Sequence, residues 1–132
     1  FQRLKDVLLP GLDNGFSSLL QDLYDRGLDS NTVVVCMGEF GRTPKVNKTA
    51  GRDHWSQGMS AVFAGAGVRT GQVIGRTSAG AEEPVEDPIV PEDLGASLYQ
   101  LVGIDPEKEF LTGSGRPLAI VRDGKRIEKL LA

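Results

Sequence analysis

The strongest constraint on the fold is a helix, a turn and an apolar run that follow one another over residues 12–37. Apolar residues recur three and four positions apart in residues 12–26, which predicts an amphipathic helix with one face toward a sheet. Gly27 is a natural helix stop. The run TVVVCM at 32–37 predicts a buried strand of the kind found in parallel sheets. This order of elements predicts an α/β fold.

Further elements follow from pattern and from turn residues. Prolines and acids without periodicity at 76–90 predict a solvated surface loop, whereas acids in the first turn favour a helix at 92–102. The other predicted elements are a strand at 59–64, a short edge strand at 71–75, and a C-terminal β-hairpin of residues 118–121 and 126–130 around the turn at 123–124.

Composition limits the class of protein. The 132 residues fit a single domain, 1–132, and a net charge of -3 argues against a nucleic-acid partner. One cysteine, Cys36, excludes an internal disulfide and a multi-thiolate zinc site. No apolar stretch approaches the roughly 20 residues of a membrane span. Because the chain begins at Phe1 and opens directly into amphipathic sequence, we interpret it as a piece of a longer protein.

The Gly-rich loop at 38–57 is the best candidate for a functional site. It follows the apolar strand directly, and ligands of open α/β sheets bind outside the carboxyl ends of strands. Glu39 lies two residues beyond that strand, where its carboxylate could reach a hard cation or accept a proton. The alternative is an ion pair of Glu39 with Arg42 or Arg52 that ties the loop down.

Other side chains of this loop suit metal and anion binding. His54 is the only histidine and can bind a metal or act as an acid and base. Asp53 points away from it in extended chain, and we expect Asp53 to hydrogen-bond within the loop. Arg42 offers a planar fork for phosphate or sulfate, Thr43 adds a hydroxyl donor, and Arg52 could act as Arg42 does.

Several motifs together resemble a large family of bacterial proteins, domain of unknown function 1501. They are GEFGRTP at 38–44, GRDHW at 51–55, GQVIG at 71–75, the helix and its end at 91–105, and GRPL at 115–118. The resemblance covers nearly the whole chain. That family is similar to the sulfatase and alkaline phosphatase superfamily, which implies a partial alkaline-phosphatase-like sheet flanked by helices. It also implies an exported protein, periplasmic or extracellular.

The resemblance assigns metal ligands by position. In the superfamily a buried strand ends in Asp-His-Gly, whose Asp and His bind metal, and a later histidine completes a site. Glu39 stands where that Asp would be, Phe40 stands where the His would be, and His54 resembles the later histidine. The implied cofactor is a divalent cation: zinc, calcium or magnesium. Phe40 cannot ligate a metal. This difference from the superfamily pattern is compatible with a one-metal, sulfatase-like site or with a descendant that has lost its catalytic activity.

The sequence thus leaves two main hypotheses. The first is the C-terminal part of a metal-dependent hydrolase of a small phosphate or sulfate ester, whose nucleophile and first aspartates would lie in an N-terminal part. The second is a non-catalytic binding or assembly domain that keeps a sulfatase-like fold. An isomerase or mutase of the same superfamily is a third hypothesis.

Overall fold

A computed structural model describes residues 1–132, in two compact units, Phe1–Ala66 and Gly67–Ala132. The first unit holds a π-helical turn at Leu4–Leu8, α1 (Leu9–Asp25), β1 (Val33–Met37), β2 (Gly41–Arg42), β3 (His54–Trp55) and β4 (Ala61–Gly65). The second unit holds β5 (Arg76–Thr77), β6 (Pro84–Glu86), α2 (Pro91–Leu101), β7 (Glu109–Leu111) and β8 (Pro117–Ala119). Neither helix is both long enough and apolar enough to cross a membrane.

The predicted end of α1 is confirmed in detail. Gly27 has a φ of 68°, and its N–H donates to the Tyr24 carbonyl at 2.9 Å. The N–H of Leu28 donates to the Leu23 carbonyl at 2.8 Å, which completes a Schellman ending. These two bonds satisfy carbonyls that the helix itself leaves without partners. The helix therefore ends where the sequence predicted.

The apolar face of α1 does not pack tightly against the sheet. Leu12 and Phe16 line an open cavity of about 510 Å³ together with Cys36 and Val62 of the sheet. No residue of α1 is buried, and Leu12 remains 53% exposed. Hydrophobic stabilisation scales with the apolar area removed from water, so this face contributes little within the unit.

The first unit's main sheet is antiparallel. β1 pairs with β4 over five residues, from Val33 opposite Gly65 to Met37 opposite Ala61. The expectation of a parallel sheet was wrong, because a parallel pair needs a crossover, usually a helix, and residues 38–60 contain none. All four sheets are two-stranded and antiparallel. The fold is mixed α/β with small antiparallel sheets and two helices, and an alkaline-phosphatase-like sheet stays a proposal.

Two buried side chains of the second unit, those of Ala96 and Ser97, lie on α2. Ser97 is fully buried; its hydroxyl donates to the Asp93 carbonyl at 2.7 Å and accepts the N–H of Ile127 at 2.9 Å. The Asp93 carboxylate accepts the N–H of Val90 at 3.2 Å and that of Lys125 at 2.8 Å. These bonds fasten the C-terminal segment along the helix. The buried apolar residues are Val68, Ala96 and Leu130.

The C-terminal hairpin exists, but at different residues. β7 pairs with β8, and Thr112 closes the turn by donating its N–H to the Arg116 carbonyl at 2.9 Å. The predicted pairing of 118–121 with 126–130 was wrong, because α2 side chains take the N–H groups of Lys125 and Ile127.

The structure of residues 71–90 also differs from the prediction. Residues 71–75 form no strand; instead Arg76 pairs with Glu86 and Thr77 with Pro84 in a small exposed hairpin, β5–β6. The predicted loop at 76–90 thus holds short strands. Its exposure agrees with the prediction, since no side chain in either strand is buried.

Candidate functional site

A short ribbon inside residues 38–57 carries the candidate residues. β2 and β3 pair antiparallel, with Gly41 opposite Trp55 and Arg42 opposite His54. Directly opposed residues share one face of a ribbon, and so do residues two apart on one strand. Arg42 and His54 therefore share a face, which also takes in Phe40. We call Phe40, Arg42 and His54 the ribbon face.

Phe40 lies beside both other side chains of the ribbon face. The rings of Phe40 and His54 lie with centroids 3.8 Å apart at an interplanar angle of 33°. The Arg42 guanidinium carbon lies 5.4 Å from the centroid of the Phe40 ring, within range of a cation–π contact. Phe40 is half-buried, whereas Arg42 and His54 are exposed. The apolar ring of Phe40 thus packs against the side chains of both Arg42 and His54.

Thr43 and Arg52, both predicted to bind an anion, make hydrogen bonds within the loop. The Thr43 hydroxyl donates to the Lys45 carbonyl at 2.9 Å and accepts the N–H of Asp53 at 3.1 Å. An Arg52 guanidinium nitrogen donates to the Thr43 carbonyl at 2.7 Å and also to that of Pro44. Both side chains already have partners within the loop.

Arg42 is differently placed. Its one hydrogen bond, to the Arg52 carbonyl, is long at 3.5 Å. A guanidinium has five N–H donors, so most of those on Arg42 remain available to a ligand. Arg42 thus makes fewer hydrogen bonds within the protein than Arg52 does.

Asn47 organises the turn that joins the two strands, and sequence reasoning missed it. Its side-chain oxygen accepts the N–H and the hydroxyl of Thr49, at 3.0 and 2.8 Å, and the N–H of Gly51 at 2.9 Å. Its side-chain nitrogen donates to the Asp53 carboxylate at 2.9 Å. Asp53 therefore bonds within the loop, as predicted. The available signal was an Asn in a Gly-containing loop, a residue that commonly hydrogen-bonds nearby backbone.

Glu39 is exposed and lies in the bend after β1. The alternative of an ion pair with Arg42 or Arg52 was wrong, since every ion pair of the structure involves other residues. No group of three or more His, Cys, Asp and Glu side chains could hold a metal ion. Glu39 and His54 supply two ligands at most. The residues present therefore do not make a metal site by themselves.

Gly41 fixes the ribbon against the chain that follows it. A Cβ on Gly41 would lie 1.6 Å from the Gly58 carbonyl oxygen and 3.2 Å from that of Trp55. Only a residue without a side chain permits this approach. Trp55 is half-buried, as expected for a packing residue, and alternates with His54 along β3.

The ribbon face is an open surface. The cavity between α1 and the sheet does not include Glu39, Arg42 or His54, and neither does the cavity lined by Val90, Glu92 and residues 120–123. Arg42 and His54 themselves are exposed to solvent.

Comparison with curated proteins and with solved structures gave no significant match. The GEFGRTP and GRDHW motifs that build the ribbon lie within one continuous family match over residues 1–131. The chain belongs to the family described as "Protein of unknown function (DUF1501)".

Proposed function

We propose that the ribbon face binds the anionic group of a phosphate or sulfate ester, as the C-terminal part of a hydrolase. The observation that carries the proposal is the cross-strand pair of Arg42 and His54, held side by side over Phe40. A guanidinium with free donors next to an imidazole is a common arrangement for recognising phosphate and sulfate. The proposed whole protein has an alkaline-phosphatase-like sheet and is exported.

The chemistry that this chain would supply is electrostatic. Charge develops on the ester oxygens as the bond breaks, and fixed hydrogen-bond donors aimed at those oxygens stabilise the transition state. Arg42 would fill this role, with its guanidinium oriented by Phe40 beneath it. The nucleophile and the general acid are not assigned to any residue of this chain.

Glu39 and His54 are the only residues of this chain that we propose as ligands of a divalent cation. Both are exposed, and an imidazole nitrogen with a carboxylate oxygen would suit zinc. Zinc requires about four ligands and calcium six or more. The remaining ligands would have to come from other residues.

The anion-binding part can be tested directly. Phosphate and sulfate would be titrated into the protein and followed by the NMR signals of the loop, in the wild type and in Arg42→Gln and His54→Ala. Each substitution should weaken binding about tenfold or more, the equivalent of a charge-assisted hydrogen bond. Arg26→Gln is the control, since it removes the same charge at the end of α1, where Arg26 pairs with Asp22.

Equal affinity in the wild type and both ribbon variants would refute the anion site. For hydrolysis, protein purified without chelator would be assayed for bound metal and for cleavage of phosphate and sulfate esters. Loss of both in His54→Ala is the expected result. A metal-free protein whose hydrolysis is unchanged by that substitution would contradict the hydrolase proposal.

A non-catalytic binding domain is the second candidate, and one observation favours it. Phe40, at the position of a superfamily metal ligand, is in ring contact with His54. A side chain that stacks rather than ligates suits recognition without turnover. This candidate predicts that Glu39→Gln alters binding or stability but no hydrolysis. Ester cleavage that disappears in Glu39→Gln would rule it out.

A further inference from the structure

We infer that Asn47 is a positioning residue for the ribbon face, acting on His54 through Asp53. The Asn47 side chain uses its two ends for different tasks. Its oxygen closes the turn on Thr49 and Gly51, while its nitrogen donates to the Asp53 carboxylate at 2.9 Å. One end therefore shapes the turn and the other end reaches the strand that carries His54.

Asp53 is held from both sides. Its backbone exchanges hydrogen bonds with Thr43: the Thr43 N–H donates to the Asp53 carbonyl at 2.9 Å, and the Asp53 N–H donates to the Thr43 hydroxyl at 3.1 Å. Its side chain is fixed by Asn47. Because Asp53 immediately precedes His54, these bonds set the direction in which β3 leaves the turn. That direction places the His54 ring against Phe40.

The two ends of Asn47 can be separated by exchanging charge. Asn47→Asp keeps an oxygen acceptor for Thr49 and Gly51 but sets a carboxylate against the carboxylate of Asp53. Asp53→Asn alone keeps the link, because the Asn47 amide can donate to an amide oxygen. In Asn47→Asp/Asp53→Asn the donor lies on the other side, so the link forms again with its direction reversed. The double variant also has the net charge of the wild type.

The first measurement concerns the His54 ring and needs no ligand. His54 is the only histidine, so its ring protons give unambiguous NMR signals. Stacking on Phe40 should shift them upfield by the ring current. We expect this shift in the wild type, its loss in Asn47→Asp, and its return in the double variant. Thr49→Val, which removes one bond of the turn but leaves the link to Asp53, should keep the shift.

The second measurement is phosphate affinity, and it rests on the proposed function. Asn47→Asp should bind phosphate about tenfold more weakly, and the double variant should regain wild-type affinity. A double variant as weak as Asn47→Asp, or a ring shift unchanged in all variants, would overturn the inference. Failure of the wild type to bind phosphate would count against the anion site alone, since the ring shift still decides the role of Asn47.

Discussion

Gly41→Ala should break the ribbon, because the space for a methyl group at this position does not exist. The added Cβ would lie 1.6 Å from the Gly58 carbonyl oxygen and 2.7 Å from its carbonyl carbon. Ordinary van der Waals contact begins near 3.4 Å, so the two segments would have to separate by about 1.8 Å. The obstructing atoms are backbone, which cannot rotate away as the end of a side chain can.

The expected loss of stability follows from that displacement. Overpacking by one methyl group typically costs about 1–3 kcal/mol, and an obstruction of backbone by backbone belongs at the upper end. Gly41 pairs with Trp55 in the ribbon, so a shift of Gly41 away from Gly58 would also strain the β2–β3 pairing, at about 1 kcal/mol for each hydrogen bond lost. We therefore expect the free energy of unfolding to fall by about 3 kcal/mol or more.

Gly38→Ala is a matched control on the same loop. A Cβ on Gly38 would meet only the Phe40 carbonyl oxygen, at an ordinary 3.6 Å, and Gly38 does not have a positive φ. The same Gly-to-Ala change should here be neutral or stabilising by up to about 1 kcal/mol, because it restricts the unfolded chain.

Urea unfolding followed by the fluorescence of Trp55 would compare the two variants. Trp55 is the only tryptophan, and it lies opposite Gly41 in the ribbon, so its signal reports the affected segment directly. Linear extrapolation gives the free energy of unfolding for each variant. Equal values for Gly41→Ala and Gly38→Ala would show that the close approach to Gly58 is not a feature of the folded protein.

Two further predictions concern the second unit. Ser97→Ala should lower the free energy of unfolding by about 1–3 kcal/mol, because the Ile127 N–H loses its buried acceptor. Ser17→Ala, at an exposed hydroxyl, is the control and should change this free energy by less than about 0.5 kcal/mol. Circular dichroism during urea unfolding measures both. The hydrogen bond and the attraction of the Asp87 carboxylate raise the pKa of Lys129 above 10.5, so the pair's stabilisation is present below pH 10.5 and is lost as pH rises through the raised pKa. Asp87→Asn should flatten this alkaline decline, and unfolding midpoints that fall equally in both proteins would contradict it.

Features determined by a few neighbouring residues were predictable from the sequence. The Gly27 ending of α1 and the start of α2 at Pro91 depend on contacts within one or two turns, and both were placed within two residues. Glu39, Arg42 and His54 are exposed in the segment after β1, as predicted, but the sequence did not predict that Arg42 and His54 lie in the paired strands β2 and β3. Such local rules operate whatever the rest of the chain does.

Strand pairing was not predictable, because it depends on distant partners. The apolar run of β1 suits a parallel or an antiparallel neighbour equally well, and β4 joins it antiparallel after a loop of more than 20 residues. The misplaced hairpin has the same cause. Asp93 and Ser97 accept hydrogen bonds from N–H groups about 30 residues away along the chain, and no local sequence pattern predicts those bonds.

The difference between Thr43 or Arg52 and Arg42 arises in the same way. All three are side chains suited to anions, and composition cannot rank them. The turn built by Asn47 brings the carbonyls of Thr43 and Pro44 within reach of one Arg52 guanidinium nitrogen. Arg42 instead lies over the Phe40 ring and makes one long hydrogen bond. These contacts depend on how the loop folds, which composition does not show.

Phe40 is the residue on which the two functional hypotheses differ, and its geometry sharpens the comparison. The Phe40 and His54 rings lie with centroids 3.8 Å apart and are tilted by 33°, and a histidine binds metals and anions through its ring nitrogens. In the hydrolase hypothesis, Phe40 takes the place of one metal ligand and packs beside the next. The hydrolase hypothesis must then supply the missing ligands from outside the ribbon, whereas the binding hypothesis needs only the surface that is already present. Metal content measured together with ester cleavage separates the two, since only the first requires both.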